Sequence, residues 1–338
     1  MLARYNPILI VIILCSLFVY IAVAQETDNA VITAENAEEV QEIFVSTEHQ
    51  PWGRAVAFSP DGEILATASD DRIVRLWDVN DEILIDELTG HEAQLRDVAF
   101  SPDGQYLASS DGAGIVIIWD MEKLEPLAEL DGHLDGVISL LFANTGTILF
   151  TGGAGEDRYI LFWNLESIED PSEYDSIALS GGVDGLAISK DDRLFAAGSW
   201  EGRAFLWQVK GVETTLQHRF EHGEAILGID LNSTGSILAT VGNDRVARLW
   251  DTETGLEIVE FADHRREIVD VDFSPNDALL LTCGRDHTMR LWDIENEVRV
   301  AVIENEGAEV IDCEFNPQGT KIATIDADGV VRMWAIPE

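Results

Sequence analysis

The sequence contains few basic residues. Its 338 residues include 21 Lys and Arg against 63 Asp and Glu, and the formal net charge at pH 7 is -42. Nucleic acids and anionic lipid surfaces carry charge of the same sign, so a chain of this composition repels both. The composition therefore excludes nucleic acid as a partner. We interpret the excess of acid as an aid to solubility, or as an adaptation to a saline or divalent-rich exterior where ions screen the repulsion.

Cysteine is scarce as well, with three in the whole chain. Cys15 lies inside an N-terminal apolar run, which leaves Cys283 and Cys313 for the remainder. Both stand where corresponding segments elsewhere in the chain carry small apolar residues, so we expect buried, unreactive thiols. Their spacing is not that of a metal site. A disulfide between them stays open, because the two segments are adjacent and an exported protein tolerates one.

Long hydrophobic runs are absent beyond the first 24 residues. Arg4 precedes an apolar run from Ile8 that ends in Ala22-Val23-Ala24, and this order is typical of a secretory signal peptide over residues 1–24. An uncleaved anchor is the alternative, although the run is short for about 30 Å of hydrocarbon. Either reading places the rest of the chain outside the cytoplasm, with membrane contact only if the segment is kept. Residues 25–39 are rich in carboxylates and predict an acidic linker.

What the sequence does contain is a tryptophan that recurs every 42 to 44 residues. The seven positions are Trp77, Trp119, Trp163, Trp207, Trp250, Trp292 and Trp334. A second marker, an apolar residue that opens a turn, recurs at Phe58, Phe100, Phe142, Ile188, Leu231, Phe273 and Phe315. A period of 40 to 45 residues built from short strands is the signature of a propeller blade. The pattern predicts an all-β, seven-bladed β-propeller of four-stranded antiparallel blades.

The two ends of the chain indicate how the ring closes. Only four residues follow Trp334, so the last blade has no outer strand of its own, whereas residues 40–45 have the composition of a strand. A propeller avoids a free edge when the N-terminal strand completes the last blade. We therefore expect a single closed domain over residues 40–338.

Two dipeptides recur within the period, Gly-His at residues 90–91 and 132–133 and Trp-Asp at 77–78, 119–120, 250–251 and 292–293. On these motifs the chain resembles the WD-repeat β-propeller family from about residue 38 to its end. The resemblance implies a hydrogen-bonded His, Ser/Thr, Asp and Trp tetrad in each blade. Complete tetrads are His49, Thr67, Asp71 and Trp77 in blade 1; His133, Thr151, Asp157 and Trp163 in blade 3; His222, Thr240, Asp244 and Trp250 in blade 5; and His264, Thr282, Asp286 and Trp292 in blade 6.

Three blades depart from the tetrad. Blade 2 has His91, Ser109 and Trp119 but Ala113 in the place of the Asp, and blade 7 has Glu306 in the place of the His. Blade 4 has Leu179, Ala197 and Glu201 at the three polar positions, so we expect it to be the least rigid blade.

The sequence offers no catalytic set, because a Ser, His and carboxylate triad is unique whereas these His and Asp residues recur from blade to blade. Acidic residues on the inner strands of successive blades are the weak candidates for a metal site. Ca²⁺ takes six to eight oxygen ligands, although hydrated or hydrogen-bonded acids are the plainer interpretation. These acids are Asp230, Asp270, Asp272, Asp312 and Glu314.

The resemblance implies that the loops carrying the blade His and Asp share one face, and that this face binds partners. Candidate contacts there are Trp52, Trp200, Arg265, Arg266 and Arg285, since exposed Trp and Arg contribute most to interfaces. We predict an exported, monomeric, non-catalytic scaffold that binds a protein or peptide without a cofactor. The alternative is a divalent-ion-dependent or carbohydrate-active propeller enzyme that uses the channel carboxylates, with Ca²⁺ as its ion.

Overall fold

The computed structural model describes residues 30–210 and 213–337. Within these ranges the chain forms 28 strands and one 3-10 helix, Ala37–Glu39. The strands assemble into seven four-stranded antiparallel sheets, each of which is one blade. The predicted seven-bladed all-β propeller is confirmed.

The first three blades follow the chain in order. Blade 1 has β2 (Gly53–Phe58), β3 (Ile64–Ser69), β4 (Ile73–Asp78) and β5 (Ile83–Thr89). Blade 2 has β6 (Leu95–Phe100), β7 (Tyr106–Asp111), β8 (Ile115–Asp120) and β9 (Glu125–Asp131). Blade 3 has β10 (Val137–Phe142), β11 (Ile148–Gly153), β12 (Tyr159–Asn164) and β13 (Ser172–Ala178).

The next three blades repeat the arrangement. Blade 4 has β14 (Val183–Ile188), β15 (Leu194–Ser199), β16 (Arg203–Lys210) and β17 (Glu213–Glu221). Blade 5 has β18 (Ile226–Leu231), β19 (Ile237–Gly242), β20 (Ala247–Asp251) and β21 (Glu257–Phe261). Blade 6 has β22 (Ile268–Phe273), β23 (Leu279–Gly284), β24 (Thr288–Asp293) and β25 (Val298–Glu304).

Blade 7 is built from both ends of the chain. It has β26 (Val310–Phe315), β27 (Lys321–Asp326), β28 (Val331–Ala335) and, as its outer strand, β1 (Gln41–Ser46). β1 pairs antiparallel with β28, from Gln41 opposite Ala335 to Ser46 opposite Val331. Closure by the N-terminal strand therefore takes the predicted form.

Blade 2 shows why the sequence folds into blades. Leu107 and Ile118 in its two middle strands are fully buried, because each blade packs between two neighbours and needs apolar residues on both faces. The turn before β7 reverses the chain at Gly104, whose φ of 68° is in the left-handed region that glycine adopts without steric cost. The Ser101 hydroxyl donates a hydrogen bond to the Asp103 carboxylate across the same turn.

The segment before β1 differs from the expected linker. Ile32 is buried, and its N–H donates a hydrogen bond of 2.8 Å to the carbonyl of Gly319. Ala37 and Val40 pack with it on the core between blades 6 and 7. Residues 30–39 are therefore part of the propeller rather than a free acidic linker, because their few apolar side chains suffice to dock them. The predicted signal peptide (1–24) and residues 25–29 lie outside the described residues.

Across residues 30–210 and 213–337, the structure contains no helix with the length and apolar character needed to cross a membrane.

Candidate functional site

Topology places two kinds of loop on one face of the propeller. The innermost strand of each blade begins at this face, and the turn between the second and third strands returns to it. The loop that follows each outer strand carries the blade His, and the turn between the second and third strands carries the Asp. The two therefore lie together on this face. In blade 1 these elements contribute His49 from the loop before β2 and Asp71 from the turn between β3 and β4.

The predicted tetrad of blade 1 is joined by hydrogen bonds. His49 Nδ1 lies 3.0 Å from Asp71 Oδ2, and its Nε2 lies 2.7 Å from Thr67 Oγ1. The Trp77 indole N–H donates to the same Thr67 oxygen at 2.9 Å. A neutral imidazole fits this chain, with one nitrogen donating to the carboxylate and the other accepting from the hydroxyl. The set links the loop, the turn and the third strand.

Blades 3, 5 and 6 contain the same network. The His-to-hydroxyl distances are 2.7 Å to Thr151, 2.9 Å to Thr240 and 2.9 Å to Thr282. The His-to-carboxylate distances are 3.0 Å to Asp157, 3.1 Å to Asp244 and 3.1 Å to Asp286. Trp163, Trp250 and Trp292 donate to the three hydroxyls. Because the arrangement recurs and is buried, it fixes the loops of this face.

Blades 2 and 7 are more complete than the sequence analysis expected. In blade 2 the carboxylate is Asp111, at the end of β7, and its Oδ2 lies 2.9 Å from His91 Nδ1. Ala113 does not leave the network open; its N–H donates to the other oxygen of Asp111. In blade 7, Asn305 rather than Glu306 takes the histidine's place at the carboxylate, since its amide donates to Asp326 at 3.2 Å; among the described residues it makes no hydrogen bond to Thr324. Asp111 and Asp326 both stand two residues earlier than the Asp of the other blades.

Blade 4 lacks the network among the residues that the structure describes. Ala197 is fully buried and has no polar group, and Leu179 packs against the apolar core of this blade. The Glu201 carboxylate is exposed and lies 3.7 Å from the Arg203 guanidinium.

An arginine that the sequence analysis missed joins four of the networks. It stands two residues before the blade Trp and donates to the turn carboxylate. The pairs are Arg75 with Asp71 at 2.6 Å, Arg248 with Asp244 at 2.5 Å, Arg290 with Asp286 at 3.1 Å and Arg332 with Asp326 at 2.7 Å. The signal was visible, because Arg recurs two positions ahead of Trp in blades 1, 5, 6 and 7.

The electrostatics of the networks follow from burial and these contacts. Burial lowers the pKa of His49, His133 and His264, which keeps the imidazoles neutral. Burial alone would raise the pKa of Asp71, but hydrogen bonds from His49 and Arg75 outweigh it and lower the pKa to about 2. A neutral His that is hydrogen-bonded to a carboxylate can hold a scaffold in shape. This pair recurs from blade to blade, whereas a catalytic centre is a single arrangement.

The inner-strand acids form a second set of contacts around the axial channel. Each carboxylate accepts a backbone N–H from the innermost strand of the next blade, which ties adjacent blades together. The pairs are Asp97 with Leu140 (2.6 Å), Asp230 with Phe273 (2.9 Å), Asp270 with Cys313 (3.3 Å), Asp272 with Phe315 (2.7 Å), Asp312 with Val56 (2.8 Å) and Glu314 with Phe58 (2.9 Å). One oxygen of each weak calcium candidate is thus engaged by the protein itself.

Enclosure in the channel wall perturbs these acids. Burial raises the pKa of Asp97 and Asp230 to about 7, and that of Glu314 to about 8. Burial and the neighbouring carboxylates also raise the pKa of Asp272 and Asp312 well above the usual range. Part of this wall therefore holds protons at neutral pH.

The channel opens on the same face as the tetrads, and we name that opening the channel mouth. Its wall is formed by the second residue of every innermost strand, together with Trp52 and Arg285. These second residues are Arg54, Arg96, Ile138, Asp184, Leu227, Val269 and Ile311. The second residue is therefore charged in blades 1, 2 and 4 and aliphatic in blades 3, 5, 6 and 7, and Arg285 adds a further charge from blade 6.

Trp52 is held in place by a charged neighbour. The Arg54 guanidinium lies 5.6 Å from the centroid of the indole, and it donates to Asp70 at 2.6 and 3.1 Å. A guanidinium over an aromatic ring at this distance is a favourable cation–π contact. The ring is nevertheless 40% exposed. Trp52 thus presents an oriented aromatic surface at the channel mouth.

Arg96 has a different environment. It is half-buried in the mouth, and its guanidinium makes no ion pair or hydrogen bond to the part of the chain that the structure describes. Burial and the neighbouring Arg54 lower the pKa of Arg96, and the carboxylates Asp70, Asp111 and Asp135 offset only part of this effect. The sequence analysis missed both Arg54 and Arg96. A comparison of the second residue of the innermost strand across the seven repeats could have found them.

Of the other predicted contact residues, some lie at the mouth and some lie outside it. Arg285 lines the mouth and is exposed. Trp200 is 49% exposed and borders the mouth through a hydrogen bond from its indole N–H to Asp184. Arg265 and Arg266 lie outside the mouth; Arg266 pairs with Glu309 at 2.6 Å. Trp52 and Arg285 therefore line the mouth and Trp200 borders it through Asp184, whereas Arg265 and Arg266 do not.

Comparison with known proteins agrees with this architecture. A 59-residue stretch is 37% identical to the general transcriptional corepressor TUP1 of Saccharomyces cerevisiae. That stretch covers 17% of this chain and 8% of the corepressor. The family described as the IFT122 first beta-propeller matches residues 52–335, which span all seven innermost strands. With seven blades and the recurring tetrads, the chain belongs to this family of WD-repeat propellers.

Proposed function

We propose that the chain is a non-catalytic scaffold that binds a protein or peptide segment at the channel mouth. WD-repeat propellers typically act as protein-interaction scaffolds. The observation that carries the proposal for this chain is the Arg96 guanidinium, half-buried and unpaired within the described residues, in the same mouth that the exposed ring of Trp52 lines. Arg and Trp are the residue types that dominate binding energy at interfaces.

The wall of the mouth indicates the chemistry of the segment. A carboxylate placed against Arg96 would offset the cost of the buried guanidinium and could accept paired hydrogen bonds from it. An apolar side chain next to it would find the aliphatic residues of the mouth and the Trp52 ring. An acidic residue beside a large apolar residue fits both kinds of residue.

The alternative enzyme that uses channel carboxylates and a divalent ion has less support. A backbone N–H occupies one oxygen of each of the acids in question. These hydrogen bonds leave fewer free lone pairs on the acids for Ca²⁺, which takes six to eight oxygen ligands.

The proposed scaffold works outside the cytoplasm as a monomer. The order of charge, apolar run and Ala-x-Ala end in residues 1–24 supports export. A net charge of -42 supports a monomer, because like-charged copies repel. Fractionation of cells that express the whole chain tests the location, and recovery in the cytosolic fraction alone would contradict it.

Selection from a random peptide library on the immobilised protein tests the binding proposal. We expect selected peptides to share an Asp or Glu next to an aromatic or aliphatic residue. Arg96→Ala and Trp52→Ala should each raise the Kd of a selected peptide at least tenfold, about 1.4 kcal/mol. Both variants should keep the melting temperature within a few degrees, because neither side chain belongs to the apolar core.

Arg265→Ala is the matched control, since Arg265 lies on the same face but outside the mouth. It should leave the Kd unchanged. Equal affinity of the Arg96 and Trp52 variants and the parent would contradict the proposed site, as would selected peptides without acidic residues.

A further inference from the structure

The two cysteines of the folded chain meet at the interface between blades 6 and 7. Cys283 lies on β23 and Cys313 on β26, and both are fully buried. Asp270 completes a group of three: its carboxylate oxygen and the two sulfurs all lie within 4.8 Å of one another. Among the described residues this is the one such group of potential metal ligands.

The fold holds this group in place from both blades. Asp270 stands opposite Cys283 in the register of β22 and β23. The carboxylate of Asp270 accepts the backbone N–H of Cys313 at 3.3 Å. Both sulfurs sit in the apolar core that also contains Met289 and Val310. The three side chains are therefore positioned by strands rather than by loops, which favours a defined site.

The group can be reached from the axial channel. Asp270 and Cys313 line the channel wall, and so does Asp312, the residue before Cys313. Further carboxylates, Asp230, Asp272 and Glu314, line the same stretch of wall. The channel therefore borders two of the three ligands, Asp270 and Cys313, directly.

The ligand types indicate which cation fits. Two sulfurs and one carboxylate oxygen suit Zn²⁺, which is bound by Cys and Asp in tetrahedral sites, whereas Ca²⁺ and Mg²⁺ prefer oxygen alone. Bonds of about 2.0 to 2.3 Å place tetrahedral ligand atoms about 3.5 Å apart. The three atoms need to close by little more than 1 Å to reach that separation, which small rotations of the side chains provide.

We propose that Asp270, Cys283 and Cys313 form a binding site for one thiophilic divalent cation, of which Zn²⁺ is the representative. Binding forms two metal–sulfur bonds and one metal–oxygen bond and releases the two thiol protons to solvent. A tetrahedral site leaves its fourth position to a water molecule. The ion joins blade 6 to blade 7, the blade that β1 completes, so it strengthens the ring next to its closure.

Titration of the reduced, metal-free protein tests the proposal. Zn²⁺ is added in the presence of millimolar Ca²⁺, which saturates the acidic surface, and the heat of binding is measured. Cd²⁺ added in parallel reports on sulfur directly through the ultraviolet absorption of cadmium–thiolate bonds. We expect one equivalent of each metal, a cadmium–thiolate absorption band, and a melting temperature that rises with Zn²⁺.

Matched variants separate this site from other acids of the channel. Cys283→Ser and Cys313→Ser should each remove the stoichiometric heat, and Asp270→Asn should weaken binding at least tenfold. Asp272→Asn, on the same strand but outside the group, should bind as the parent does. The cadmium band of the parent protein keeps the test valid even if a serine variant folds poorly.

Three results would overturn the proposal. The first is the absence of the cadmium–thiolate band from the reduced parent protein. The second is stoichiometric Zn²⁺ binding that survives both serine substitutions. The third is a count of zero free thiols in the denatured protein as purified without reductant, because that result would assign the pair to a disulfide.

Discussion

Asp97 allows the free-energy cost of a buried carboxylate in the channel wall to be measured. Its carboxylate accepts the N–H of Leu140 in blade 3 at 2.6 Å and the N–H of Val98 at 2.7 Å. Burial raises the pKa of Asp97 from 3.8 to about 7. The charged form is therefore disfavoured in the folded protein relative to the unfolded chain, and above pH 7 the residue carries that cost in full.

The sign and size of the effect follow from linkage. Between about pH 4 and pH 7 the folded protein holds a proton on Asp97 that the unfolded chain releases, so this residue lowers the stability as the pH rises. The rise in the pKa of Asp97 from 3.8 to about 7 corresponds to a loss of at most about 4 kcal/mol in the free energy of unfolding. Asp97→Asn removes the charge and keeps a carbonyl oxygen, so we expect it to raise the unfolding free energy at pH 8 by about 1 to 3 kcal/mol.

Urea unfolding at pH 4.5, 6 and 8 provides the measurement. The stability difference between Asp97→Asn and the parent should be smallest at pH 4.5, about a quarter of its value at pH 8, and should grow up to about pH 7. Because the difference is taken at each pH, the titration of the tetrad histidines cancels. Asp131→Asn, an exposed change on β9 of the same blade, should show no such trend. A pH-independent difference, or a destabilised Asp97→Asn at pH 8, would refute this account of the channel wall.

Two further predictions concern the tetrads and the closure. Asp111→Ala and Asp244→Ala should each lower the unfolding free energy by about 1 to 3 kcal/mol, because buried donors lose their acceptor. Glu201→Ala should lower it by less than either. The opposite order in urea unfolding would contradict the assignment of these carboxylates. Deletion of residues up to Ser46 should expose the edge of β28 and cause aggregation, whereas deletion up to residue 29 should not. Equal light scattering and equal melting temperatures for the two truncated proteins would argue against closure by β1.

The fold could be predicted because each blade repeats the same physical problem. A tryptophan, a turn and alternating apolar residues recur seven times, and each copy is independent evidence for the same element. The missing outer strand after Trp334 predicted the role of β1 for the same reason. The segment before β1 was misjudged because its composition is acidic on average, whereas two apolar side chains, Ile32 and Ala37, decide where it lies.

The tetrads of blades 2 and 7 show where spacing alone fails. In these blades the carboxylate ends the second strand instead of standing in the turn, two residues earlier than expected. The side chain still reaches its partner, since Asp111 lies 2.9 Å from His91 and Asp326 accepts from Asn305. The network requires an acceptor at a point in space, and more than one backbone position supplies it.

The channel mouth could be predicted only by comparing one strand position across all seven repeats. Positions three and five of the innermost strands carry the acids that bind the next blade; one of the two is acidic in blades 2 and 5, and both are acidic in blades 6 and 7. Position two faces the mouth and varies among Arg, Ile, Asp, Leu and Val, with Arg in blades 1 and 2 and Ile in blades 3 and 7. Because the ring is fixed by hydrogen bonds at the other positions, position two is free to vary without loss of the fold. The residues that vary among the seven repeats at this position therefore lie where a partner can reach them.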